Sequence, residues 1–392
     1  MSSLLKPHMM GILFLLISFG AISAVILTPA LPELSRDFGI SESKAQLTMS
    51  LFLIAYAFGQ LPYGPIANRF GRKKAVYIGI GLMLIGSVLA LSVPSFAAVL
   101  LGRLIQALGA AVGLKITLTM ISDRHEGPEA TKAISMLSIA FAIMPAFGVT
   151  IGGYLVEYWG WRGCFVFSSF YAGLLGLLVL ALPETGKAFD QGALETKRVI
   201  HGYLQQFKSR STMLNAVFLG FVSSSFYIFA TVAPYVGIVY IGLSPGQFGL
   251  WNLIPCVGVF MGVWLTWWFA QKNKPRLAVQ TSIGIMIFAI ALMILSFSFS
   301  FVNVWTLFIP VAIMRIGSNT IWSNAASSGL SASHDKSNTS AVMQFINLSM
   351  STIAVFVISA FPTTAIMLLP LALGVIIFLL LMMNTLVKVS QS

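Results

Sequence analysis

The placement of charge constrains this chain more than any other feature. Apolar runs of about 17 to 25 residues, each long enough to cross hydrocarbon as a helix, fill most of its length. No Asp or Glu falls inside any of these runs, and only three basic residues lie away from their ends, Arg103, Lys115 and Arg315. A charge at the bilayer centre costs about 3 kcal/mol or more, so such residues face a bundle interior or a water-filled path and mark function. The pattern predicts an all-α membrane protein with a positive interior. At 57% hydrophobic and 9% charged residues, the chain has too little polar surface for a soluble globule.

Twelve spans are read, over approximately residues 9–30, 46–66, 75–93, 97–120, 132–156, 163–182, 213–236, 247–270, 277–300, 303–326, 339–361 and 364–387. The first continues to Pro29 with only Lys6 ahead of it, so it reads as a retained span and not as a cleaved signal segment. With the N-terminus inside, seventeen of the 23 Lys and Arg lie on the inner side, against Arg36, Lys44 and Arg162 on the outer. That bias places both termini in the cytoplasm. The longest connection, 184–210, is also the most polar stretch. It divides the chain into two six-helix bundles, 1–183 and 211–392, joined by a cytoplasmic linker.

The halves echo one another. The fourth span of each carries one arginine, in L-G-R-L-I-Q at Leu101–Gln106 and in I-M-R-I-G-S at Ile313–Ser318. The basic loop N-R-F-G-R-K-K-A at Asn68–Ala75 has a weaker counterpart, Q-K-N-K-P-R-L-A, at Gln271–Ala278. Such echoes point to pseudosymmetric bundles around a central cavity that Arg103 and Arg315 are expected to face.

At these residues the chain resembles the major facilitator superfamily over nearly its whole length, and within it the Bcr/CflA-type drug:proton antiporters. G-P-I-A-N-R-F-G-R-K-K at Gly64–Lys74 resembles the family's loop motif between spans 2 and 3, with Asn68 where an acidic residue is usual. R-L-I-Q-A-L-G-A-A at Arg103–Ala111 is similar to the span 4 motif. P-A-F-G-V-T-I-G-G-Y at Pro145–Tyr154 resembles the antiporter motif of span 5, with Val149 in place of the usual proline. Leu182–Thr185 and Phe226–Tyr235 extend the likeness. The resemblance implies the major facilitator fold of twelve helices, alternating access and transport of a small molecule, with multidrug efflux as the usual activity.

The residues themselves leave two readings at most of these sites. Gly64 and Gly71 permit a tight turn in which Arg69 and Arg72, with Lys73 and Lys74, either pin helix ends and anionic lipid or only signal topology. Pro145, Gly148, Gly152 and Gly153 supply either a deformable contact between rocking bundles or ordinary small-residue packing. Arg103 and Gln106 share one helical face, where they hold a carboxylate or phosphate, or tie off carbonyls of a neighbouring helix. Arg315, followed by Asn319 and Asn324, is read in the same two ways. Lys115 lines the path or snorkels to headgroups. Tyr227, Phe229 and Tyr235, with Phe226, form a substrate-pocket wall or core packing, as do Trp251 and Asn252. Trp264, Trp267 and Trp268 are expected at the membrane interface. Cys164 and Cys256 read as apolar packing, with no disulfide framework.

Coupling is the open question. Alignment on P-A-L-P at Pro29–Pro32 puts Val25 where many related antiporters hold an embedded acid. Three routes remain: titration of Lys115, a shallow proton site at Glu33, or no proton coupling, as in a facilitator or anion exchanger. Desolvated Arg and Lys need counter-charge that no embedded acid supplies, so neutral or anionic amphiphiles are expected as substrates, including polycarboxylate metabolites or siderophores. The expected protein is a monomer in a bacterial inner membrane. Its partners are that small molecule and lipid, with no nucleic acid, metal or cofactor. A membrane sensor would need a soluble domain larger than the linker, and an enzyme would need a nucleophile–base or metal constellation that the spans lack.

Overall fold

Backbone polar groups find no water in hydrocarbon, so a lipid-spanning chain without a closed barrel must satisfy them within helices. The computed structural model follows that rule and describes residues 6–125, 127–186, 190–272, 274–333, 335–362 and 365–389. The N-terminal half comprises α1 (Pro7–Val25), α2 (Leu31–Phe38), α3 (Glu42–Phe70), α4 (Arg72–Ser92), α5 (Phe96–Ala110), α6 (Val112–Ser122) and α7 (Gly127–Val179). After α8 (Thr196–Lys208) the C-terminal half follows as α9 (Arg210–Pro234), α10 (Pro245–Trp251), α11 (Ile254–Gln271), α12 (Pro275–Ser298), α13 (Val304–Ser331), α14 (Lys336–Ile358) and α15 (Leu368–Val389).

These elements form twelve membrane-length segments among the described residues. α1 with α2, α5 with α6, and α10 with α11 are each one broken span, and α9 runs on through a wide turn at Tyr235–Tyr240. α7 is two spans joined at Gly160, whose φ of 65° turns the chain where an L side chain would be strained. By length and composition only ten stretches qualify as membrane spans. The difference arises because α7 counts once and because buried Gln46, Thr48, Ser50 and Gln60 dilute the hydropathy of α3.

The sequence reading places only a polar connection at 184–210. The structure adds α8 within it, while residues 187–189 of that connection lie outside the described residues. Thirteen residues with Lys197, Arg198 and Lys208 are too short and too charged to register as a span. α8 packs on α14 and marks the linker end of the molecule.

Within lipid, helices associate through close packing and polar contacts, because lipid tails are as apolar as leucine. The halves meet along two seams, α3 against α14 and α7 against α10. In the first, the Phe58 and Phe345 rings stand edge to face 5.1 Å apart.

Candidate functional site

The two matched arginines have different surroundings. Arg103 on α5 is 1% exposed and lies over the Phe52 ring, 3.9 Å from its centre. One terminal nitrogen donates to the Ser23 carbonyl at 2.9 Å and the other to Ala24 at 3.4 Å. Those carbonyls belong to the last turn of α1, which breaks before Pro29 and so leaves acceptors without intrahelical donors. A guanidinium there satisfies them and meets the negative end of the helix dipole. Gln106 supports the arrangement: its Oε1 accepts from Arg103 at 3.4 Å, and its Nε2 donates to Ser87 at 2.7 Å.

Arg315 on α13 is only half-buried. Its guanidinium stacks over Phe226 at 4.3 Å, and no hydrogen bond or ion pair joins it to a described residue. Phe226 and Tyr227 stand edge to face at 4.9 Å, and the Tyr227 hydroxyl feels the Arg315 charge. Tyr56 of the opposite half lies within electrostatic range of Tyr227. Tyr56 is 3% exposed, and its hydroxyl is buried beside Gln60 without a hydrogen bond. Arg315 and Tyr227 of one half and Tyr56 of the other are thus mid-span donors within electrostatic range, Tyr227 linking the two. Sequence reasoning missed Tyr56; the polar residues that lower the hydropathy of α3 were the available signal.

The remaining residues are dispersed. Phe229 packs edge to face on Phe308 at 6.0 Å, and Tyr235 is buried at the start of the wide turn. Asn252 caps α10 at the break before α11. Asn319 faces Gly262 of α11, where an added Cβ would come within 2.9 Å of its own. Lys115 lies beside Gly64, within the electrostatic reach of Asp335 at the start of α14. Trp264 and Trp267 are 60% and 56% exposed.

The glycine motif of α7 divides between two contacts. Gly148 and Gly152 let α7 lie on the chain at Ile22 and Ile26, and Gly153 admits the Pro245 carbonyl of the other half. Pro145 lies within α7, a turn before these contacts. Thr150 Oγ1 donates to the Gly249 carbonyl at 2.8 Å, and Glu157 Oε2 accepts from Gly246 N and Ser244 Oγ, each at 2.8 Å. Beside this seam is a cavity of about 530 Å³ lined by Pro29, Glu33, Asp37, Glu157 and Pro245, among others. Glu33 Oε2 is buried there without a hydrogen bond.

At the linker end the loop motif is an ion cluster. Gly71, with φ 102°, turns the chain into α4. Arg72 pairs with Asp123 at 2.9 Å and donates to Asn68 Oδ1 at 2.8 Å; Arg69 joins no such pair among the described residues. Burial raises the pKa of Glu184, but N–H donors from Gly186, Lys73, Arg72 and Thr185 outweigh it and hold its carboxyl below the usual range.

α8 bridges the halves at this end. Pro65 has no N–H for the Leu61 carbonyl one turn before it, and Tyr203 Oη donates to that carbonyl at 2.8 Å. Gln206 Oε1 accepts from Thr339 Oγ1 of α14 at 2.8 Å. Tyr203→Phe is therefore expected to raise the open-to-closed ratio of the linker end about 5-fold, the worth of one hydrogen bond of about 1 kcal/mol. Distance distributions between spin labels on α3 and α14 report it, and an unchanged distribution would refute a clasp.

A profile of the Major Facilitator Superfamily matches residues 13–358. The chain is 26% identical over 327 residues to multidrug resistance protein D of Escherichia coli strain K12, covering 82% of this chain and 81% of that protein. It is 27% identical over 338 residues to the bicyclomycin resistance protein homolog of Haemophilus influenzae, covering 82% and 80%. The solved structure of a D-xylose-proton symporter superposes with a TM-score of 0.76 at 14% identity, over 96% of each chain, a likeness of fold.

Proposed function

The chain belongs to the major facilitator superfamily, and from that premise we propose that it exports small organic molecules across a bacterial inner membrane by alternating access. It is a multi-pass membrane transporter, and its relatives fit the Bcr/CflA-type drug transporters. Residues 1–183 and 211–392 are the moving bundles in this reading, the linker 184–210 joins them, and both termini are cytoplasmic. The names of the two relatives, multidrug and bicyclomycin resistance, support export.

The substrate class is neutral or anionic, from multifunctional amphiphiles to polycarboxylates of the siderophore kind. The observation that carries this is Arg315, a guanidinium inside the membrane region with an aromatic face beneath it and no hydrogen bond to a described residue. A half-buried cation without hydrogen-bond partners among the described residues favours a ligand that supplies charge or acceptors, and repels a cationic one. Tyr227 and Tyr56 add donors from the two halves, so one ligand that engages both favours their approach. For coupling, the unbonded Glu33 oxygen in the cavity at the α7–α10 seam supports a shallow proton site over titration of a lysine.

A thermal-shift screen of detergent-purified protein against matched cationic, neutral and polycarboxylate ligands tests this reading. A ligand at 100 times its Kd adds about 2.7 kcal/mol to apparent stability by mass action. Anionic or neutral ligands are expected to raise the melting temperature. Stabilisation by lipophilic cations alone would return the protein to cationic drug efflux and remove the role given to Arg315.

A further inference from the structure

The basic loop Gln271–Ala278 borders a second cavity, remote from the mid-span donors. A space of about 250 Å³ opens at the linker end between α9, α12, α13 and α15, with Arg276, Gln280, Asn215, Asn324, Ser328 and Asn384 on its walls. Five of these six polar residues are neutral, the sixth is an arginine, and among the described residues no Asp or Glu lines the space. Asn215 and Asn324 each donate one amide N–H to a carbonyl of their own helix, at 2.9 and 2.8 Å from Ser211 and Thr320. Their amide oxygens remain available as acceptors for a hydroxylated guest.

The depth of this cavity suits a lipid headgroup. On the neighbouring α11, Trp264 and Trp267 are exposed and Lys272 Nζ lies 3.6 Å over the Trp268 ring, an arrangement of the membrane–water interface. Leu277 on α12 and Leu381 and Met382 on α15 are exposed on two helices that wall the cavity, apolar surface along which acyl chains can lie. A guanidinium fork matches a phosphate, and Lys272 and Lys274 nearby add positive potential for an anionic lipid. An ethanolamine or choline headgroup would bring a cation to walls whose described residues offer it no carboxylate.

We propose that this cavity is a binding site for an anionic glycerophospholipid with a hydroxylated headgroup, phosphatidylglycerol in class, its phosphate on Arg276 and its hydroxyls among the amides of Asn215, Gln280, Asn324 and Asn384. The site is independent of the substrate pathway and of the transport direction.

The test uses the full chain, purified in a neutral detergent and stripped of lipid. Phosphatidylglycerol is expected to raise the apparent melting temperature by about 3 °C or more, whereas phosphatidylcholine and phosphatidylethanolamine of the same acyl composition do not. Inorganic phosphate and glycerol 3-phosphate are expected to leave it unchanged. Arg276→Gln, at an exposed position, removes the shift; Asn324→Leu keeps the charge and reduces it. An equal shift with phosphatidylcholine overturns the site in favour of general lipid solvation, and a shift with free phosphate makes it a soluble-anion site. Retention of the full shift in Arg276→Gln also overturns it. None of these outcomes depends on transport, so failure here leaves the substrate reading standing.

Discussion

Arg315→Gln is expected to abolish transport and leave the purified protein about as thermostable as the parent. The guanidinium makes no hydrogen bond or ion pair with a described residue, so the folded state loses one stacking contact with Phe226, worth about 1 kcal/mol. A bound ligand loses far more. Two charge-assisted hydrogen bonds of about 1.5 to 3 kcal/mol each correspond to a loss of affinity of about a hundredfold or more. Arg315→Lys keeps the charge without the planar fork and should recover activity only in part. Substrate flux into everted vesicles or proteoliposomes, measured beside the melting temperature, separates the two effects. Parent-like flux in Arg315→Gln would show that the pathway does not use this charge.

Arg103→Gln is expected to fail in the opposite way, by loss of folded protein. Its two terminal nitrogens serve the Ser23 and Ala24 carbonyls where α1 ends, and glutamine is too short to reach them from α5. Acceptors left unsatisfied in a dry interior cost about 1 to 3 kcal/mol each. The Phe52 ring loses its cation as well. A total on the order of 3 kcal/mol is a large part of a protein's net stability, and it should appear as a lower melting temperature and reduced yield. A variant that purified with the parent's melting temperature yet did not transport would move Arg103 into the substrate path.

The contrast bears on what can be read from a matched pair of motifs. L-G-R-L-I-Q and I-M-R-I-G-S place their arginines equivalently, and each carries the same two readings, ligand contact or carbonyl tie. The structure separates them: each guanidinium lies over an aromatic ring, but only Arg103 also donates to carbonyls at a broken helix end. The glycine run of α7 is similar. Its spacing announces close packing, but that Gly152 meets the chain after α1 and Gly153 the opposite half depends on neighbours not encoded nearby. Tyr56 carried no motif; its place opposite Tyr227 follows from how the halves meet.

By itself the sequence determined the membrane class and the helical architecture. Span length, charge exclusion and backbone satisfaction in lipid are local requirements, met residue by residue within each helix. The tertiary structure alone decided which polar groups are occupied. The carbonyl that holds Arg103 lies 80 residues away at Ser23, and the one that Pro65 leaves open at Leu61 is filled by Tyr203, 142 residues on. A helix break exposes an acceptor wherever it occurs, but only packing brings the donor to it, and packing joins distant parts of the chain whose pairing no local pattern records.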